Sequence, residues 1–192
     1  MRAERNPIRK RNLTGIGRVV VCCCLLVAAS FDVHAEQAKR APETLRPVQE
    51  FVQSFYDWYV PTALVDNPTP AWIRAIREKK TVFSPQLASA LEEDFSAQNK
   101  SLGDIVGLDF DPFLYTQDPG ERYVVGSIAE SSHGYLVEIH QVKAGKKSEP
   151  ADVVVELSGD AGHWCLVNFH YAQGKDLLTI LKSLRRTREK HT

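Results

Sequence analysis

The sequence is short of three things: long apolar runs, an excess of either charge, and cysteine beyond its first thirty residues. Its longest apolar run, Val19 to Ala29, falls well below the ~20 residues that a helix needs to cross a bilayer. A membrane-spanning helix is therefore not expected. Basic and acidic side chains balance at 24 each, which argues against a nucleic-acid partner, whose phosphates demand a basic face. Of the cysteines, Cys22, Cys23 and Cys24 are consecutive and only Cys165 lies elsewhere. No disulfide framework is available to staple a small fold.

What is present begins with a targeting pattern. Arg2, Arg5, Arg9, Lys10, Arg11 and Arg18 stand against Glu4 ahead of the apolar run, and Val33-His34-Ala35 then supplies small residues for a signal peptidase. The expected organisation is a secretory signal over residues 1–35 cleaved after Ala35, a flexible lead-in over 36–43, and one α+β domain over 44–192. An uncleaved anchor and a lipoprotein are the alternatives; the second lacks the small residue before Cys22 that lipid attachment uses. Cleavage would leave 157 residues with 18 basic and 22 acidic side chains. Such a chain is mildly acidic, of one-domain size, and able to bury about 70% of its unfolded surface. The expected location is the periplasm or the medium, with membrane contact only through the signal segment during export. Cys165 reads as a structural thiol, because nothing in His163-Trp164-Cys165-Leu166-Val167 makes it electropositive.

Helical periodicity governs the first half. Leu45, Val48, Phe51, Val52, Phe55 and Tyr59 recur at steps of three and four, with Thr44 as cap, Pro47 in the first turn and Pro61 as terminator. Four rings crowd Phe55-Tyr56-Asp57-Trp58-Tyr59, so Tyr56 or Trp58 must face a second layer or a cavity wall. Asp57 is either a solvated helix residue or the lining of a pocket. A short helix over 71–79 presents Trp72, Ile73 and Ile76 inward and Arg74, Arg77, Lys79 and Lys80 outward. Ser84-Pro85 opens a third helix with the stripe Leu87, Leu91 and Phe95 and with Glu92, Glu93 and Asp94 on its far side. Residues 96–104 read as a loop.

After Asp118 the period changes to alternation. Residues 122–129, 135–143, 152–158 and 164–171 read as four antiparallel strands, since their connections are too short for parallel crossovers. One face of the sheet is expected to be wet and the other covered by helices. A last amphipathic helix over 176–188 turns Leu177, Ile180, Leu181 and Leu184 inward and ends in Lys182, Arg185, Arg186 and Arg188.

Between the halves, residues 108–118 interleave Asp109, Asp111 and Asp118 with Phe110, Phe113, Leu114 and Tyr115, and fit neither period. One reading is structural: Asp111 ties a turn, Pro112 fixes the next dihedral, Phe113 and Leu114 anchor the loop, and Gln117 and Asp118 tie it to the sheet edge. The other is a ligand or partner site. Calcium is disfavoured, because Pro112 follows Asp111 and no glycine supplies the central turn. His133, His140, His163 and His170 lack the paired spacing of zinc sites.

Phe55-Tyr56-Asp57-Trp58-Tyr59, Phe83-Ser84-Pro85-Gln86-Leu87, residues 111–118 and His163-Trp164-Cys165-Leu166-Val167-Asn168 together resemble the exported bacterial family called domain of unknown function 3828, over residues 45–184. The resemblance implies an NTF2-like or cystatin-like cone, with helices packed on a curved four-stranded antiparallel sheet, in a Gram-negative envelope. It implies no activity. The expected function is a non-catalytic binding or envelope-assembly module with no cofactor, whose partner is another envelope protein or a small ligand. Tyr56, Asp57, Trp58, Asp111, Tyr115, Gln117 and Asp118 are its candidate contacts. Two alternatives stand beside it: an acid–base enzyme of isomerase or dehydratase type, with a carboxylate and a tyrosine in an apolar cavity, and an inhibitor or immunity protein for a cell-wall hydrolase.

Overall fold

The computed structural model describes residues 43–101, 106–159 and 163–190, all within the unit Pro42–Thr192. The signal segment, its cleavage point at Ala35 and the lead-in as far as residue 42 lie outside the described residues. Among the described residues are four α-helices, α1 (Arg46–Ala63), α2 (Ala71–Glu78), α3 (Pro85–Lys100) and α4 (Leu177–Lys190). The strands are β1 (Arg122–Ser131), β2 (Gly134–Lys143), β3 (Lys146–Lys147), β4 (Val153–Ser158) and β5 (Cys165–Tyr171). The fold is α+β, with helices packed on an antiparallel sheet.

Helix α1 buries Val48, Val52, Phe55, Tyr56, Tyr59 and Val60. Its ends differ from the sequence expectation. Thr44 lies in a 3-10 turn, Glu43–Leu45, and Leu45 is the cap position without a side-chain bond. Pro61 does not terminate the helix but sits inside its last turn. There a proline forfeits a single backbone bond, and the neighbouring carbonyls find other donors: Thr62 Oγ1 donates to the Trp58 carbonyl and Arg74 Nη2 to that of Thr62.

Helix α2 buries Trp72, Ile73, Ala75 and Ile76. Helix α3 starts as its sequence dictates, with Pro85 in the first turn and Ser84 Oγ accepting from the Leu87 amide at 3.2 Å. It then runs to Lys100, through part of the stretch read as loop. Ser96-Ala97-Gln98-Asn99-Lys100 contains neither Gly nor Pro to stop it. Asp94 is a second correction: it is buried, not on the far side.

The strand order is β1-β2-β4-β5, all antiparallel, with the two-residue β3 pairing β2 as a fifth strand beyond the four expected. Ala144 and Gly145 make the β2–β3 turn at φ 50° and 72°, the left-handed pair that a two-residue hairpin needs. The register puts Ile128, Val137, Val155 and Phe169 in one row across the inner face. Single-residue bulges between Val125 and Ile128, and opposite Glu156 and Leu157, add local bend and twist.

Both edges of the sheet are tied to the helical layer. Gln53 of α1 acts on β1 as a surrogate strand: its Nε2 donates to the Tyr123 carbonyl and its Oε1 accepts from the Val125 amide, both at 3.0 Å. On the other side the Ser84 amide donates to the Leu166 carbonyl of β5 at 2.9 Å. Pairing an edge in this way removes a template for another chain.

The outer face is less wet than alternation implies. His140 on that face is buried and shares a hydrogen bond through Nδ1 with the Ser148 carbonyl at 2.8 Å. The Ser148 amide in turn donates to Gln141, and the Asp152 amide to Ile139. His170 on the same face pairs with Glu156 at 3.0 Å.

Candidate functional site

Residues 108–118 are held from three directions. Tyr56 and Tyr59 project from α1 and Tyr171 from β5, and their hydroxyls donate to three successive residues: Tyr59 to Asp111 Oδ2 at 2.5 Å, Tyr171 to the Pro112 carbonyl at 2.8 Å, and Tyr56 to the Phe113 carbonyl at 3.0 Å. The Phe113 ring lies at the centre of the core, with centroids 5.7 Å from Phe55, 5.1 Å from Tyr59, 5.2 Å from Phe83 and 4.8 Å from Phe169. These rings occupy the space between helices and sheet, where the acid–base alternative requires a cavity. Burial drives the Tyr56, Tyr59 and Tyr171 hydroxyls well above the ordinary phenol range, so all three are fixed as donors.

Asp111 organises the turn locally. Its Oδ1 accepts from the Phe113 and Leu114 amides at 2.9 and 3.1 Å, its carbonyl from the Tyr115 amide, and its own amide donates to Thr116. As a residue it is partly exposed, but its carboxyl turns inward onto Tyr59 and these amides. Burial pushes the carboxyl up to about 6, outweighing the three hydrogen bonds that favour the ionised form. Tyr115 completes the turn at φ 52°, a left-handed conformation rare for a ring-bearing residue. Its amide bond to Asp111 and the stacking of its ring on Tyr171, at 4.1 Å and 10°, hold it there.

The remaining candidates separate. Tyr56 faces the sheet and stacks on Tyr123 at 5.8 Å, as the inward member of the crowded aromatic pair. Trp58 faces the other way, half-buried, with Lys79 Nζ 5.0 Å from its ring centroid. Asp57 is exposed and accepts from Gln53. Gln117 is exposed and donates to the Asp109 carbonyl at 2.9 Å. Asp118 is exposed and pairs with Lys143 at 2.5 Å. Asp111, Tyr115 and Tyr56 are thus joined in one network, whereas Asp57, Trp58 and Asp118 stand outside it.

The outward edge of the same segment forms one wall of an open groove of about 390 Å³. Asp109, Phe110, Asp111, Thr116, Gln117 and Pro119 line that wall, opposite Ala63 at the end of α1 and Pro70, Ala71 and Trp72 at the start of α2. Directly after Ala63 come Leu64 and Val65, 56% and 58% exposed. At ~3.8 Å per residue they border the groove. Sequence reasoning missed this pair. The available signal was two aliphatic residues following a helix end and preceding Asp66-Asn67-Pro68, where no period buries them.

The segment's start is locked separately. Asp94, 1% exposed, accepts from the Leu108 amide at 2.9 Å and from Arg188 Nη1 at 2.6 Å, and Arg188 also donates to the Val106 carbonyl. The acidic run 92–94 is consumed within the fold: Glu92 pairs with Arg77 of α2, Glu93 with Arg185 and Asp94 with Arg188 of α4. Among the described residues no helix is long and apolar enough to cross a membrane, and no group of His, Cys, Asp and Glu has the arrangement of a metal site. No family model matches the chain, and neither the curated proteins nor the solved structures provide a match.

Proposed function

We propose that this protein is an exported, non-catalytic binding or assembly module, and that the groove beside residues 108–118 is where its partner seats. The observation that carries this reading is the juxtaposition of the open groove with Leu64 and Val65, the large hydrophobic side chains most exposed on the described surface. Aliphatic groups beside a groove with polar lining are the usual composition of a contact surface. The inward atoms of the segment hold the fold; its outward edge, with Asp109 and the exposed Gln117, lines the groove where a partner would seat. Membership of the domain of unknown function 3828 family and an NTF2-like cone belong to the same proposal.

One observation favours the acid–base alternative: the Asp111 carboxyl is poised at about 6 beside Tyr59, in the range suited to proton transfer. Against it, Asp57 and Asp118 face solvent, and Asp111 is engaged by two amides and a hydroxyl.

Site-specific photo-crosslinking tests the binding reading. A benzophenone side chain replacing Val65 is expected to yield a discrete crosslinked species in the envelope of the native host. The same group replacing Glu130, exposed at the far end of β1, is expected to yield none. Equal products from both positions, or none from position 65, would refute a partner at the groove.

A further inference from the structure

The Asp111 carboxyl lies where the buried tyrosine network meets the open groove, and its surroundings suit one of its two protonation states better than the other. We propose that Asp111 is a pH-sensitive latch: as the neutral acid it fastens residues 111–115 to the core, and as the carboxylate it turns out into the groove and releases the Phe113 and Leu114 amides. The first argument is the lack of a counter-charge. Two amides and the Tyr59 hydroxyl bond the carboxyl, yet no cation is among the groups that act on it. Neutral donors replace only part of the hydration that a carboxylate loses on burial. Around it stand Tyr56 and Tyr59 from α1, Tyr171 from β5 and Tyr123 from β1, all four phenols held above their ordinary range chiefly by burial. Arg74 of α2 acts on Tyr59, but its Nη2 is engaged by the Thr62 carbonyl. The other carboxylates of the surroundings, Asp109 in the segment itself, Asp152 acting on Tyr56 and Tyr123, and Asp176 acting on Tyr171, supply negative charge and no counter-ion.

The second argument is that the charge has an exit and the turn a reason to move. Asp111 itself lines the open groove and is partly exposed, so a side-chain rotation is enough to hydrate the carboxylate. Tyr115 sits at φ 52°, a left-handed backbone that a ring-bearing residue adopts only where its contacts impose it. Asp111 supplies several of those contacts: its carbonyl accepts from the Tyr115 amide at 2.8 Å, and its Oδ1 ties the two residues between. Loss of the Oδ1 bonds therefore falls where the backbone is ready to relax. Burial pushes the carboxyl up to about 6, about two units above a solvated aspartate. The closed turn thus binds the proton more tightly than the open one, is favoured at low pH, and loses ground as pH rises through that window. From pH 4.5 to 7.5 the open-to-closed ratio should rise more than about tenfold. The latch belongs to the fold and stands whether or not a partner occupies the groove.

The test is a titration of the isotope-labelled protein from pH 4.5 to 8 by nuclear magnetic resonance, following the Phe113 and Leu114 amides and the Asp111 carboxyl carbon. Release of the amides is expected to move both resonances upfield as pH rises, with a midpoint well above the ~4 of a solvated aspartate. Their hydrogen exchange should quicken more than about tenfold beyond the ordinary base-catalysed rise. Asp111→Asn should hold both amides bonded and flat across the range. Tyr59→Phe should move the midpoint to higher pH, because the hydroxyl it removes favours the ionised form. Downfield movement would show a carboxylate that ionises in place and accepts more strongly. A midpoint near ~4 would show that burial sets no penalty, and the same transition in Asp111→Asn would assign it to another group. Each of those results, or a midpoint that Tyr59→Phe leaves unmoved, overturns the latch.

Discussion

Replacing Asp111 by Asn tests whether the carboxyl at the centre of the tyrosine network is held at a cost. Its folded value of about 6 lies above the ordinary aspartate value because burial penalises the charge. The folded state therefore binds a proton more tightly than the unfolded one between pH ~4 and ~6, and stability must fall as pH rises through that window. A difference of about two units at ~1.4 kcal/mol each gives a penalty of about 3 kcal/mol, complete above pH ~7. Asparagine keeps the Oδ1 acceptor for the Phe113 and Leu114 amides and presents an amide to the Tyr59 oxygen, without charge. Asp111→Asn should consequently match the wild type near pH 4 and exceed it by up to about 3 kcal/mol at pH 7.5, or roughly 6–12 °C in melting temperature for a domain of this size. The assay is urea or thermal unfolding of both proteins from pH 4 to 8. Every other titrating group is common to the pair, so the difference curve isolates Asp111. A flat difference across that range, or an asparagine variant less stable at pH 7.5, would refute the argument.

Arg188→Ala should cost about 3–5 kcal/mol, because it strands the buried Asp94 carboxylate with the Leu108 amide alone; chemical denaturation at neutral pH reads this, and a loss below ~1 kcal/mol would show that Asp94 is rehydrated. Tyr171→Phe and Tyr56→Phe each leave a buried carbonyl, Pro112 or Phe113, without its donor, at about 1–3 kcal/mol apiece. Because both carbonyls lie in one turn, the double variant should depart from additivity in a mutant cycle. Gly107→Ala places a methyl group 2.6 Å from Asp94 Oδ2 and closer still to the Gln98 side chain, and should destabilise by about 1–3 kcal/mol; unchanged thermal stability would mean that the lock yields freely.

The strands were legible because alternation reports directly on a sheet with one face against a core, and all four expected segments recur within two residues at each end. The cap at Ser84-Pro85 was legible for the same local reason. Asp94 was misplaced for an instructive one. It stands seven residues after Leu87 and three after Leu91, on the buried stripe, yet its charge argued for the far side. Period and polarity disagreed, and period was right because Arg188 supplies a counter-charge from 94 positions away. No local pattern announces such a partner. His140 hides for a related reason: the Ser148 carbonyl beyond its own strand takes its Nδ1, and Gly126 of β1 leaves the room that its ring fills, neither of which sheet alternation announces.

In residues 108–118 the two readings offered by the sequence turn out to occupy different atoms of one segment. The hydroxyls of Tyr56, Tyr59 and Tyr171 take the inward carboxyl and carbonyls of residues 111–113, and Tyr115 is committed to its stack on Tyr171. A binding defect in Tyr115→Ala would therefore report a collapsed turn as readily as a lost contact. The side chains of Asp109 and Gln117 point the other way, into the groove, and Leu64 and Val65 belong to a different element altogether. Function can be separated from folding only at those outward positions. A partner-binding loss that follows Asp109 and Leu64 with the melting temperature unchanged is the signature that a purely structural segment could not produce.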